Sequence, residues 1–318
     1  VGEGEESFYE LVAGRPLEEV KGLVYKDGKG RIRSNERRIT EDIDTIPFPK
    51  FRMFELEKYP TRIIPIISSR GCPFKCIFCQ QSSLLSKNWR GVSAGYFIRA
   101  LKYWKDKGHD DIHVLDDNFA FDINRLRGIA ELYEKEGLKD VKLSLIGGVR
   151  ISSGSKEILG LLKRLGVDYI SFGIESFSDP VLDFIRKGTT EKKIEEAVRN
   201  ATEMGFKVRL FFIIGFPYQT KESLRNTYKF VLKYPVYQVR FFNLIPYENT
   251  GLMEWLDENG RMIYDPYEYM NNFKRYQDIP VFEAKHTMSP EERKNELKIA
   301  REFEKLIAER KKYLFDEI

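Results

Sequence analysis

The sequence predicts an α/β protein whose core is a parallel sheet of six strands. Two observations carry that prediction. From Thr61 onward, short apolar runs alternate with amphipathic segments at a period of about 35 residues, the pattern of strand–helix–strand units. The polar phrases of the chain also follow the apolar runs directly, at the strand ends where such folds gather their chemistry. Periodicity alone fits both an open doubly wound sheet and a barrel.

The elements follow in order. Val1-Gly2-Glu3-Gly4-Glu5-Glu6-Ser7 reads as a loop entering a short helix at Phe8-Tyr9-Glu10-Leu11-Val12, with acids favouring the helix start. The Gly-x-Gly lacks the third glycine of a dinucleotide loop. Residues 22–25 and 31–33 flank Lys26-Asp27-Gly28-Lys29-Gly30 as a hairpin, and Ile43 to Pro49 is a proline-stiffened connector. These short, polar phrases are expected to be exposed. Strands are predicted at 63–68, 112–115, 141–146, 169–173, 208–214 and 239–244. Helices are predicted at 94–107, 125–136, 156–165, 180–186, 191–204 and 221–233. A charged helix over 290–312 carries Leu297, Ala300, Phe303, Leu306 and Ile307 as one apolar stripe for docking onto the sheet layer.

With 318 residues, the chain holds about two domains by the usual length rule. A hydrophobic content of 42% supplies a core, and 53 basic against 49 acidic residues give +4, too mild a charge to argue for nucleic acid. The apolar stretch 210–216 is far short of the roughly 20 residues a membrane span needs. Three cysteines confined to one loop make no disulfide framework, and no signal peptide is evident, so a cytoplasmic setting is expected. Because the chain starts at Val1 with a motif under way, it is expected to be part of a longer polypeptide.

All three cysteines stand in Ser69-Arg70-Gly71-Cys72-Pro73-Phe74-Lys75-Cys76-Ile77-Phe78-Cys79. Thiolates this close in sequence can grip one inorganic centre. An iron–sulfur cube takes four ligands, so three thiolates leave one iron open to an exogenous one. A structural zinc closes its tetrahedron with four protein ligands, and the fourth would have to be His109, His113 or His286, all distant in sequence. Both centres stay open on the residues alone.

C-x3-C-x-aromatic-C resembles the signature loop of radical S-adenosylmethionine (SAM) enzymes, position by position through Cys72, Cys76, Phe78 and Cys79. The resemblance, which covers roughly residues 1–255, implies a partial six-stranded (β/α) barrel over residues 61–252 preceded by an N-terminal segment 1–60; the helical C-terminal extension expected over 253–318 has no match in the family from Gly260 onward. It implies a [4Fe-4S] cluster on the three cysteines, SAM on the fourth iron, and a 5′-deoxyadenosyl radical made by reductive cleavage. It also implies an electron donor such as flavodoxin or ferredoxin.

Further phrases match the same family. Phe78 is expected near the adenine. Asp116 and Asp117, in Leu115-Asp116-Asp117-Asn118, are expected to hold the cofactor's amino group, although Asx pairs at strand ends also serve as turn-formers. Glu175, in Gly173-Ile174-Glu175-Ser176, is expected on the ribose; a carboxylate directly after an apolar strand is expensive to bury without a partner. Ile214 and Gly215 are expected to back the adenine. Arg150 is a candidate for a carboxylate or cofactor contact and equally a salt-bridge partner. Asp111-x-His113 is no corrin-ligand motif, since Asp116 stands where that motif has glycine.

Gly2-Glu3-Gly4-Glu5, the Gly28 hairpin and Asp44-x-x-Pro47-x-Pro49 resemble the junction after a cobalamin domain in the cobalamin-associated class. That implies cobalamin as a further cofactor, held ahead of Val1, and methylation of an unactivated carbon. The alternatives are a cobalamin-free radical oxidation or rearrangement, and a non-enzymatic iron–sulfur or zinc module. The substrate is expected to be a small molecule or lipid rather than nucleic acid. Pro217-Tyr218-Gln219-Thr220 and Pro246-Tyr247-Glu248-Asn249 depart from the family's usual phrases, so no relative's substrate is carried over.

Overall fold

A computed structural model describes residues 1–81 and 88–315, so the last three residues of the expected C-terminal extension lie outside it. A helix α1 (Glu5–Val12) and a hairpin β1 (Val24–Lys26) and β2 (Ile32–Ser34) precede the sheet. The strands of the sheet are β3 (Ile64–Ile66), β6 (Asp111–Val114), β7 (Lys142–Val149), β8 (Tyr169–Glu175), β9 (Lys207–Ile214) and β10 (Gln238–Asn243). Between β3 and β6, β4 (Ser69–Arg70) and β5 (Arg90–Gly91) form a small antiparallel pair beside the cysteine loop.

The sheet is parallel throughout, in the order β10-β9-β8-β7-β6-β3. Each strand lies beside its predecessor in the chain. A doubly wound sheet reverses its order at a switch point; here there is none. The two edges do not pair with each other, which makes the sheet a partial barrel. Sheet order resolves the ambiguity that periodicity left.

Crossover helices α2 (Ala94–Asp106), α3 (Ile123–Lys135), α4 (Lys156–Arg164), α5 (Asp179–Phe184), α6 (Glu191–Glu203) and α7 (Lys221–Leu232) cover the outer face. Five of them open on a capping side chain: Ser93, Asp122, Ser155, Thr190 and Thr220 each accept a first-turn N–H. Such caps stabilise a helix start by about 1 kcal/mol. In β9, Val208, Leu210, Phe212 and Ile214 are buried in the main core. By the period of two, Arg209, Phe211 and Ile213 face the barrel interior.

Edge strands leave unpaired backbone groups that need cover. On β10, Glu304 accepts the Phe241 N–H at 2.6 Å, and Arg301 donates to the Phe241 carbonyl at 2.7 Å. Both belong to the terminal helix α11 (Pro290–Phe315). Edge strand β3 carries Pro65, which has no N–H to leave unpaired. The extension ahead of α11 includes α8 (Gly251–Asn259), α9 (Pro266–Asn271) and α10 (Phe273–Tyr276), and it is not helical throughout. Its β11 (Gly260–Met262) pairs antiparallel with β12 (Phe282–Ala284). Leu297, Ala300 and Ile307 enter the main core with Phe303 packed against it, but Leu306, read as part of the same stripe, is 49% exposed. It stands on the helix flank that α11 turns away from the barrel.

Within the N-terminal phrase, Gly2, Gly4 and Glu5 are exposed as expected and Glu3 is not. Glu3 is buried, and its carboxylate accepts from Arg90 (2.6 and 3.1 Å), from the Thr40 N–H (3.0 Å) and faces Arg70 (3.4 Å). Glu5 pairs with Arg70 at 2.5 Å. Gly2 has φ +94°, and a Cβ there would strike the Arg38 carbonyl at 2.0 Å. The phrase is a clip that fastens the N-terminal segment to the strand pair flanking the cysteine loop.

That clip has a pH dependence. Burial pushes the Glu3 pKa up, but its bonds to Arg90 and Thr40 and the charges of Arg90 and Arg70 outweigh it and hold the value below the ordinary 4.5. Its stabilisation is therefore present above about pH 4.5 and is lost as pH falls through the lowered folded value. Glu3→Gln leaves Arg90 buried without its counter-charge, a change that costs about 3–5 kcal/mol. In denaturant unfolding the variant should trail wild type by a constant gap from pH 7 to about 5, and the gap should narrow below. A gap that stays constant into the acid range would remove Glu3 as its source.

Candidate active site

The cysteine loop is set by bonds from outside it. Ile77 donates its N–H to the Ile185 carbonyl at the end of α5 (3.1 Å) and accepts from the Leu252 N–H at the start of α8 (2.8 Å). Gly71 enters the loop with φ +83°, where a side chain would be strained. On the strand side, Asp116 accepts from the Ser68 N–H (2.6 Å), the Ser68 hydroxyl (2.7 Å) and the Ser69 hydroxyl (2.6 Å). Arg125 reaches from α3 to donate to the Ser68 carbonyl and hydroxyl and, through Nε, to Val92.

Asp116 therefore takes a different place from the one expected. Its carboxylate is 2% exposed, saturated by serines, and outside the cavity that the cysteines line. It holds the strand end that delivers the loop. Burial pushes its pKa up, against the three hydrogen bonds and the Arg125 charge.

A cleft of about 770 Å³ opens at the C-terminal ends of the strands. Cys72, Cys76, Cys79, Phe78, Asp117, Arg150 and Glu175 line it, together with Asn118, the Gly147-Gly148 pair, Phe211 and Lys187. Gly147 is needed where it stands, since a Cβ there would meet the Asp116 carbonyl at 2.7 Å, whereas one on Gly173 would meet only the movable end of the Glu175 side chain at 2.8 Å. Glu175 itself has φ +68° at a register shift in β8, an uncommon conformation for a residue with a side chain. Its Oε1 accepts from Lys187 at 3.0 Å, the two side chains being only 14% and 8% exposed. Lys187 is thus the partner a buried carboxylate requires.

The polar groups on the opposite wall differ from one another. Asp117 accepts from Gln81 at 3.0 Å, and burial with the neighbouring Asp116 charge pushes its pKa up. Asn118 is 2% exposed, and its Oδ1 is buried with no partner among the described residues. An orphaned buried acceptor costs about 1–3 kcal/mol until a donor reaches it. Sequence reasoning placed Asp116 and Asp117 on the site and passed over Asn118, the next residue of the same phrase.

Arg150 lies with its guanidinium carbon 3.6 Å from the centre of the Phe74 ring and Nη1 3.6 Å from the Cys76 sulfur. It has no carboxylate partner among the described residues, so it adds positive charge beside the thiols. Phe78 packs edge-on against Phe216 at 5.4 Å. Ile214 and Gly215 do not line the cleft. The Ile214 side chain points into the outer core, while Ile213 takes the interior side of the same strand. Gly215, at φ +121°, donates its N–H to Gln219 at 2.7 Å, and a Cβ there would press on Leu244 at 3.2 Å and Arg293 at 3.3 Å.

Burial pushes the Cys72 and Cys79 thiols up, with Arg150 pulling on the first and Lys187 on the second in the opposite sense. A centre that binds them must displace their protons, so loading should release acid. The described residues contain no group of His, Cys, Asp and Glu tight enough for a single ion. The histidines that zinc would require are elsewhere: His109 beside Trp104, His113 by Asp111 on β6, and His286 stacked on Tyr218. Three thiols around one cleft, with cations behind them and an open side, suit a larger anionic centre better than a closed tetrahedron.

Fold and site together define a partial α/β barrel enzyme with a three-thiol loop at its mouth. Residues 66–231 match the radical SAM superfamily. An uncharacterized methyltransferase of Pyrococcus horikoshii, PH0819, is 34% identical over 298 residues, covering 91% of this chain and 63% of that protein. The cytidylyl-2-hydroxyethylphosphonate methyltransferase of Streptomyces wedmorensis is 23% identical, over 88% of this chain and 60% of its own length. Among solved structures, the radical SAM methyltransferase TsrM of Kitasatospora setae, with cobalamin and a [4Fe-4S] cluster bound, superposes with a TM-score of 0.64. It shares 19% identity over 76% of this chain and 51% of that one, a likeness of fold. The chain belongs to the radical SAM superfamily. It spans about three fifths of the length of these two curated relatives. No described helix is long and apolar enough to cross a membrane.

Proposed function

We propose that this chain is the catalytic barrel of a radical SAM methyltransferase acting on an unactivated carbon. The observation that carries the reading is the single cleft that brings Cys72, Cys76 and Cys79 together with the unpartnered Asn118 Oδ1 and with Glu175. The three thiolates would hold a [4Fe-4S] cluster. Asn118 and Asp117 would accept from the amino group of SAM, Glu175 from its ribose hydroxyls, and Phe78 would flank the adenine. When bound, that cluster would supply the single-electron reducing power that cleaves SAM and opens an unactivated C–H bond of the substrate to attack.

The residues of this chain prepare that step. Lys187 fixes the Glu175 carboxylate. Asp116 and Arg125 hold the strand end that carries the loop. Arg150 and Lys187 offset the negative charge of the thiolates. An external donor of single electrons, such as flavodoxin or ferredoxin, would serve the cluster.

Cobalamin would supply the methyl group from a domain ahead of Val1. The methyltransferase names of the relatives and their greater length support this. So does α1, which leaves Phe8, Tyr9 and Val12 68%, 75% and 71% exposed. The test is corrin uptake by the longest natural polypeptide containing this chain, reconstituted anaerobically, with the 318 residues alone beside it. Uptake by the longer protein and little or none by the shorter is expected. No uptake by either would overturn methyl transfer and leave a cobalamin-free radical reaction as the better reading.

A further inference from the structure

The cysteine cleft has a neighbour. Between the ends of β9 and β10 and the C-terminal extension lies a bay of about 610 Å³, bordered by Phe78, Ile213, Phe242, Asn243, Tyr247 and Gln277. Phe78 lines both spaces, so its ring is the partition between them. Across it, Phe211 lines the cleft and packs 5.7 Å from the Phe242 ring.

The walls of the bay are mostly apolar, and Phe242 is 41% exposed on a strand whose neighbours Phe241 and Asn243 are buried. Apolar area left in water inside a concave wall is area that an apolar ligand can cover, at about 25 cal/mol per Å². The few polar groups keep spare hydrogen-bonding capacity. Asn243 is 8% exposed, and its Nδ2 donates to the Ile279 carbonyl (2.7 Å) and the Tyr276 carbonyl (3.3 Å), which fixes the amide and leaves Oδ1 buried and unpaired among the described residues. The Tyr247 hydroxyl, its pKa pushed up by burial, and the Gln277 amide make no hydrogen bond among the described residues. An apolar pocket with a few convergent polar groups is the usual form of a small-molecule site.

We propose that this bay receives the apolar part of the substrate that lies beside its reacting carbon, a ring or chain fragment that carries one O–H or N–H donor. The proposal rests on the radical SAM reading of the cleft across Phe78. The donor would answer the Asn243 acceptor, with Tyr247 and Gln277 completing its hydrogen bonds. Gln277 belongs to the C-terminal extension, so that extension takes part in choosing the substrate.

The probe is 4-hydroxybenzophenone, two apolar rings with one O–H, set against benzophenone, which lacks the donor. Each is added to the anaerobically reconstituted protein, titrated, irradiated and mapped by peptide mass spectrometry. Labels are expected on Ile213, Phe242 or Tyr247, with the hydroxyl form binding about tenfold tighter, the worth of one hydrogen bond to a buried group. Phe242→Asp, at an exposed position, should abolish those labels. Tyr247→Phe combined with Gln277→Leu should weaken the preference for the hydroxyl form. Labels confined to exposed groups such as Phe8 and Tyr9, or equal affinity for the two probes, would overturn the proposal. Iron content is measured on the same samples to separate the two readings. A bay that labels as expected in protein that takes up no iron overturns the substrate assignment through the function reading. A protein with iron and an unlabelled bay overturns the bay alone.

Discussion

Cys76→Ala should abolish the brown absorbance that anaerobic reconstitution with iron and sulfide gives the wild-type protein. The reason lies in the donor set. The cleft offers three thiols, and no histidine stands near enough to replace one. Loss of one thiolate strips an iron of its only protein ligand. Cys76 is also the buried member of the three and the one nearest the Arg150 guanidinium, so no water-exposed substitute can take its place. The fold should survive, since the loop is pinned through the Ile77 backbone rather than through the sulfurs. Iron content falling to background with unchanged circular dichroism is the expected pair of readings. Wild-type iron content in the variant would refute the assignment of this thiol.

Glu175→Ala should weaken SAM binding by roughly one to two decades, because hydrogen bonds to a charged group contribute about 1.5–3 kcal/mol. The substitution also leaves Lys187 nearly buried without its partner, so affinity alone could confuse two effects. Glu175→Gln keeps the shape and an acceptor oxygen while removing the charge, and it should fall between wild type and Glu175→Ala. The cluster should remain in both. Anaerobic calorimetry on iron-loaded protein decides the matter: equal affinity in all three would take Glu175 off the ribose.

Much of the fold could be read from the chain because each strand is a short apolar run and each crossover helix an amphipathic one. The order of the strands could not, since one-dimensional periodicity is the same for a switched and a sequential sheet; hydrogen bonding alone shows the sequence β3-β6-β7-β8-β9-β10. The third strand runs on to Val149, past the expected end, because Gly147-Gly148 lets the backbone pass close to Asp116 through a register shift.

The cysteine loop was legible because all three of its cysteines are local. What surrounds it was less so. Asp116, Asp117 and Asn118 are adjacent polar residues, and only the path of the backbone decides that the first turns to Ser68 and Ser69 while the other two reach the cleft. Ile213 and Ile214 are chemically alike, so an all-apolar strand end hides which one faces inward. Glu3 meets Arg90, 87 residues away, and no local pattern announces such a pair. The signal that could have found Lys187 was physical: a carboxylate at a buried strand end demands a cation, and Lys187 lies twelve residues beyond it.

The central claim is that three thiolates hold a cluster with one iron open to SAM. Its most direct test is the electron paramagnetic resonance spectrum of the reduced, iron-loaded protein before and after SAM is added. A reduced-cluster signal whose g-values shift with SAM is expected in wild type, and no such signal in Cys76→Ala. A cluster spectrum that SAM leaves unchanged would contradict it.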